Sequence, residues 1–390
     1  MPTLREFLLE FLAWLIVAIV CAAVGIPLWL RKRRQGTRLL AQEDRNPVTW
    51  TGWEILAAFF VTYFFWPSLV GFCLNHSGFF FWIYGVPETS TQALDGIAKE
   101  QRNFWITLCI FPFNLATVLI LFRMASGTQP YQLGLSCRSL LRRLALACLS
   151  WLVITPFVFG INFLVSLAYV DLTGRKPEHP LEQLAEGSPL FTDAVLIGLV
   201  ALAVAPIWEE LLFRGVVQPW LAQEEWRSHF VMGLASLIGI SAGIANFQES
   251  QALDLGRILG NLSPILFVMI LFPGYLYTDR LLQRWIPQRS LFRGIFATSL
   301  LFAMVHSLVW PTPIPLFFLA LGLGFLAYRT QSLLAPILFH SLFNAVACIA
   351  LLMIQLVGPD VQNGREATSA GTRPVSTATS TPVPAVWQLR

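Results

Sequence analysis

Apolar runs of membrane-spanning length recur along nearly the whole chain, near residues 7–30, 53–74, 104–123, 144–170, 190–212, 230–247, 261–279, 294–311, 314–329 and 333–357. A run of about 20 apolar residues, wound into a helix, matches the hydrocarbon core of a bilayer and bonds all its backbone groups within the segment. The expected fold is therefore all-α, a polytopic membrane bundle of about ten transmembrane helices. Composition agrees: 56% of residues are hydrophobic and 12% charged, against about 25% charged in soluble domains. The runs near 230 and 314 are short or broken by Gly and Pro, so tilted or partly inserted helices are expected there.

The first run is longer than a secretory h-region, and Arg31-Lys32-Arg33-Arg34 follows it in place of a small-residue cleavage site. It reads as an uncleaved membrane helix. Basic residues gather at 31–38, at Arg138, Arg142 and Arg143, and at Arg280, Arg284, Arg289 and Arg293. The positive-inside rule makes these loops cytoplasmic and, with ten spans, leaves both termini outside. The net charge of +4 is what juxtamembrane loops on anionic lipid require, and it argues against a nucleic-acid partner. The six cysteines are scattered with no Cys-x-x-Cys pair, which suits small apolar core residues.

Residues 1–140 form an N-terminal membrane region of three helices without candidate chemistry, suited to packing or anchoring. A connecting helix and polar loop follow over 141–189. The tightly spaced apolar segments of 190–357 make a compact bundle in the C-terminal half that holds every chemical motif. The tail, 358–390, is rich in Thr, Ser and Pro and is expected to be disordered. Ala235, Gly239 and Gly243 keep a four-residue spacing that permits close helix packing.

Three phrases place ionisable side chains inside these apolar segments: Trp208-Glu209-Glu210-Leu-Leu-Phe-Arg214, Phe302-Ala-Met-Val-His306 and His340-Ser-Leu-Phe-Asn344. Each Glu or Arg near a helix centre opposes insertion by roughly 2.5–3.5 kcal/mol, so the first phrase alone costs on the order of 10 kcal/mol and marks a functional site. On a helix Glu210 and Arg214 share a face in the order that favours an ion pair. Glu209 then projects about 100° away, free to face a cavity as a general base, with Pro206 one turn earlier to bend the helix. His306 lies about 13 residues beyond Arg293, roughly 20 Å into its span. His340 and Asn344 share a face one turn apart. They either supply donors to a developing oxyanion, or the imidazole ligates a metal that the amide helps orient. The bland alternative puts the two glutamates at a helix end and makes the histidines packing residues. Continuous apolar sequence beyond Glu210 counts against it.

Glu-Glu-x-x-x-Arg, Phe-x-x-x-His and His-x-x-x-Asn, in this order within hydrophobic sequence, resemble the CPBP (Abi) family of intramembrane proteases. That family includes CAAX-processing endoproteases and bacterial proteins of bacteriocin processing or self-immunity, and the resemblance covers about 190–357. It implies that Glu209 activates water with help from His306, that Glu210, Arg214 and Phe302 support the site, and that His340 and Asn344 bind the oxyanion. The family is commonly called metalloendopeptidase, and a metal-independent glutamate mechanism has also been argued. The resemblance thus leaves zinc, with Glu209, Glu210, His306 and His340 as candidate ligands, beside a metal-free site. The expected substrate is a membrane-associated or lipidated polypeptide, cleaved at a site reached by a water-filled cavity from the cytoplasm, in the cell membrane. The alternatives are a noncatalytic member acting in self-immunity or partner binding, and a secondary transporter using the same buried charges.

Overall fold

The computed structural model describes residues 46–84, 96–136, 139–174, 191–248, 255–282 and 289–349, besides the isolated positions 27 and 31. The first apolar run, most of the 171–189 loop and the Thr/Ser/Pro-rich tail lie outside these residues. Among the described residues the chain is helical without strands. Seven helices are long and apolar enough to cross a membrane: α1 (Gly52–His76), α2 (Gln101–Ser126), α3 (Leu140–Thr173), α4 (Val195–Leu221), α5 (Glu225–Ala245), α6 (Ile258–Leu281) and α8 (Pro313–Thr330). Two shorter apolar helices complete the set, α7 (Phe292–Val305) and α9 (Leu334–Ile349). The protein is an integral, multi-pass membrane protein.

The shortness falls elsewhere than expected. The segments near 230 and 314 form helices of full length, whereas the run at 294–311 yields only α7. Pro311 and Pro313 lie at its far end and prevent a helix from continuing there. Every residue of α7 from 293 to 304 is buried, because α4, α5, α6 and α8 pack around it. A helix apolar on all sides belongs to an interior, so hydropathy alone reads it as one more span.

Local chemistry sets the helix starts and their shape. Thr51 caps α1: its side chain accepts from Trp53 N–H, while Glu54 accepts from Thr51 N–H at 3.0 Å, a reciprocal capping box. Within α1 and α4, three stretches wind in wider π-type turns: Val61–Phe65, Val200–Val204 and Glu210–Val217. Each is followed by one residue whose N–H reaches five residues back, Trp66 to Val61, Ala205 to Val200 and Gln218 to Phe213. Next comes a proline: Pro67, Pro206 or Pro219. A proline ring collides with the carbonyl four residues earlier and donates nothing, and the widened turn relieves that collision without a break.

The main core joins Leu211, Leu212, Phe213, Val216 and Val217 of α4 to Phe296, Leu300 and Phe302 of α7 and Phe317 of α8. Trp50 also belongs to it, fully buried, with its indole N–H donating to Val216 O at 3.1 Å. A Cβ added at Gly239 would stand 2.9 Å from Val268 and 3.0 Å from Met304, and one at Gly243 would stand 2.6 Å from Ile265. The small-residue stripe of α5 therefore lets α6 and α7 approach closely. Arg293, expected as a loop charge, is buried. Its guanidinium donates to both Asp279 oxygens at 3.0 and 2.8 Å and pairs with Glu225, tying together α5, α6 and α7.

Candidate active site

Glu210 and Arg214 lie on one face of α4 and pair at 2.9 Å, both side chains fully enclosed. Taking two charges out of water is costly unless each is held by close partners, and here each has more than one. The guanidinium carbon of Arg214 sits 4.4 Å over the Phe302 ring and 5.9 Å from that of Phe213, a cation–π contact strengthened by desolvation. Glu210 Oε1 also accepts from His340 Nδ1 at 2.9 Å. A carboxylate can only accept, so Nδ1 carries the proton of that bond.

This hydrogen bond fixes the ring of His340 and turns its other nitrogen toward the second glutamate. Nε2 lies 3.9 Å from Glu209 Oε2, and Glu209 keeps 20% of its side chain exposed. The two adjacent carboxylates are thus divided in kind. Glu210 is buried and held by Arg214 and His340, while Glu209 is open and faces Nε2.

His306 sits one residue past the end of α7, in the turn before Pro311 rather than inside a spanning helix. Its Nδ1 lies 2.7 Å from Phe302 O, so Nδ1–H caps a last-turn carbonyl left open by the helix end. In the neutral ring this leaves the lone pair on Nε2. Phe302 stands between the two imidazoles, its ring 4.9 Å from that of His306 and 6.1 Å from that of His340. Phe302, a supporting residue in the motif, is the surface on which Arg214, His306 and His340 are all arranged.

Asn344 is differently placed from its neighbour. One amide N–H donates to Ala201 O at 2.8 Å. In the widened turn that carbonyl would be served by the N–H of Pro206, which proline lacks, so Asn344 satisfies an acceptor that the backbone cannot. His340 and Asn344 share a helix face, but the carboxamide spends one donor on α4.

A cavity of about 560 Å³ lies among the ends of α4 and α8 and the segments near 46 and 132, with Arg214, Gln218, Gln223, Tyr328 and Ser332 in its walls. Glu209, His306 and His340 are not among the residues that line this cavity. Arg214 borders this cavity and pairs with Glu210. No three His, Cys, Asp or Glu side chains converge as a ligand set among the described residues. Both imidazole Nδ1 atoms are engaged and Glu210 Oε1 is shared by Arg214 and His340, which leaves the two Nε2 atoms and Glu209 as the open donors, the arrangement that outer-shell partners also give zinc-ligating histidines. A tetrahedral site needs three such groups free to turn toward one point.

One aromatic neighbour of Trp208 had no signal in the three phrases. Tyr63 of α1 reaches Trp208 with a ring separation of 6.5 Å. A tyrosine in an apolar run just before Trp-Pro was the available clue, and it is indistinguishable from a lipid-facing aromatic until α1 is placed against α4.

Residues 191–280 and 270–346 match the family described as type II CAAX prenyl endopeptidase Rce1-like. Together these stretches cover less than half the chain, take in all three phrases and leave α1–α3 outside. No curated protein and no solved structure matches the chain. Through residues 191–346, which carry the ordered phrases and their convergence on Phe302, the chain is thus similar to the Rce1-like family of type II CAAX prenyl endopeptidases.

Proposed function

We propose that the protein is an active intramembrane endopeptidase that hydrolyses a peptide bond of a membrane-associated or lipidated polypeptide. The observation that carries this reading is the division of labour between the two glutamates. Arg214 and His340 hold Glu210, which leaves Glu209 open beside an imidazole nitrogen already oriented by its neighbour. General-base catalysis requires such a carboxylate, and orientation of its partner is what the buried pair supplies.

In the mechanism, Glu209 takes a proton from water as the oxygen attacks the substrate carbonyl, and His306 Nε2 accepts the water's other hydrogen bond. The resulting oxyanion is met by the remaining amide N–H of Asn344, with His340 Nε2 facing it in the form that carries a proton on both ring nitrogens. As the C–N bond breaks, Glu209 passes its proton to the leaving amine, so the products are a carboxylic acid and an amine and the carboxylate is regenerated. No step calls for a metal. Access is from the cytoplasm, the side assigned to the basic loops.

The test compares new peptide N-termini in membranes of cells that express the wild type or Glu209→Gln at equal levels. Cleavages confined to the wild type are expected, with unchanged thermal unfolding of the variant, because Glu209 is open and bears no fold-holding pair. Persistence of those cleavages in Glu209→Gln would remove Glu209 from the mechanism. Identical profiles with no wild-type-specific cleavage would favour a binding or immunity role. Activity that survives washing with a strong chelator is expected; loss restored by zinc would overturn the metal-free mechanism.

A further inference from the structure

Proline leaves a carbonyl without its donor in α6 as it does in α4. Pro264 has no N–H for the Gly260 carbonyl four residues earlier, and the Ser263 hydroxyl serves that carbonyl instead. A hydroxyl has one proton, so with that proton on Gly260 O the oxygen of Ser263 can only accept a further bond. The bond it accepts comes from the Trp310 indole N–H, at 2.6 Å and across 47 positions of chain. Its base is firm: a Cβ at Gly260 would stand 2.0 Å from Thr173 Cγ2, so α6 is pressed against the end of α3 here.

Trp310 closes the turn that carries His306. Past Val305 the backbone leaves α7 through short-range bonds, His306 N–H to Ala303 O at 3.0 Å, Ser307 N–H to Met304 O at 3.0 Å and Val309 N–H to His306 O at 3.1 Å. Side chains around the crest of the turn give little hold, since Val305 is 42% and Leu308 96% exposed. Trp310 is buried, its ring edge-on to Phe267 of α6 at 6.0 Å. A buried indole N–H requires an acceptor, and the Ser263 hydroxyl sets where along α6 the ring comes to rest. The His306 imidazole bonds its own helix end through Nδ1, so the direction of Nε2 follows the backbone of this turn, and a helix end left unfixed frays. We propose that Ser263 and Trp310 are positioning residues of the active site: their bond anchors the turn after α7 to α6 and so holds the His306 imidazole in the orientation that water activation uses. The catalytic consequence rests on the proteolytic reading above, whereas the anchoring of the turn does not.

The experiment uses the full chain in lipid bilayers, isotopically labelled at the histidine ring nitrogens and kept above the usual imidazole range so that the rings are neutral. Solid-state nitrogen spectra, assigned by subtracting His306→Gln and His340→Gln, read the tautomer of each ring. In the wild type both carry the proton at Nδ1. In Ser263→Ala and in Trp310→Phe, His306 is expected to average between its two tautomers, while His340, bonded to Glu210, keeps its Nδ1–H form. On a peptide identified by the N-terminus comparison, each variant should lower kcat about tenfold with KM within about twofold, and the double variant no further, because one bond is lost in all three. A His306 ring that keeps its Nδ1–H form in either variant overturns the proposal, as does averaging in both histidines, the mark of general loosening. A double variant clearly slower than either single one, or an unchanged kcat, overturns the positioning role even where the tautomer averages. Where Ser263→Ala does not accumulate as folded protein, Trp310→Phe decides alone, since it leaves Gly260 O covered. If the wild type cleaves nothing, the proteolytic reading fails by itself, and the ring spectra alone decide whether this bond holds the turn.

Discussion

Arg214 is the residue on which the site's electrostatics turn. It neutralises Glu210, lies against Phe302, and borders the cavity. Arg214→Ala should cost about 3–5 kcal/mol by stranding a buried carboxylate, read as a lower midpoint in thermal unfolding of the detergent-solubilised protein. Glu210→Gln introduced on that background should recover part of the loss, since an amide is cheaper to bury than an unpaired charge. No recovery would mean that Arg214 stabilises mainly through Phe302. The Glu210–Arg214 pair was legible because a spacing of four carries its own geometry. The bond from His340 to Glu210 was not, as 130 positions separate the partners. Arg293 shows the converse ambiguity: at a helix end, one letter serves equally for a loop charge and for a buried clamp on Asp279 and Glu225.

At the scale of the element, proline explains both the shape of α4 and the post of Asn344. Pro206 withholds an N–H, the turn before it widens, and Ala201 O turns to a side chain 143 positions away. Asn344→Ala should therefore destabilise by about 1–3 kcal/mol by leaving that carbonyl without a donor. In a Pro206→Ala background, where the backbone N–H returns, the same change should cost clearly less. The double-mutant cycle in thermal or denaturant unfolding checks this, and equal costs in both backgrounds would rule the capping role out. The sequence hinted at Pro206 as a bend but carried no sign of the widened turn before it, nor of the partner from α9 that takes the freed carbonyl. His306 has a similar origin. Its motif reads as helical, but Pro311 and Pro313 end α7 beforehand, and the imidazole closes the helix end.

At the scale of the molecule, the membrane bundle and the grouping of its chemistry in the second half were readable from hydropathy, because apolar length and buried charge are local properties. The share taken by the N-terminal region was not. Trp50, outside the matched residues, fills the core beside Val216 and donates to its carbonyl. Trp50→Ala should cost about 3–5 kcal/mol and expose the 46–51 segment to protease at temperatures where the wild type resists; a wild-type digestion pattern would show that the region is only an anchor.

The enclosure of α7 bears also on how the chain is made. A 14-residue helix wrapped by protein, with Arg293 near its start, is a weak candidate for entering a bilayer unaided. During biosynthesis α5 and α6 precede it and offer Glu225 and Asp279 as counter-charges, while α8, its remaining wall, emerges later. Phe302 and His306 therefore reach their places only after α8 has been synthesised, and α9, which brings His340, follows it. A ribosome part-way through this protein therefore carries both glutamates before the helices that bring His306 and His340 beside them.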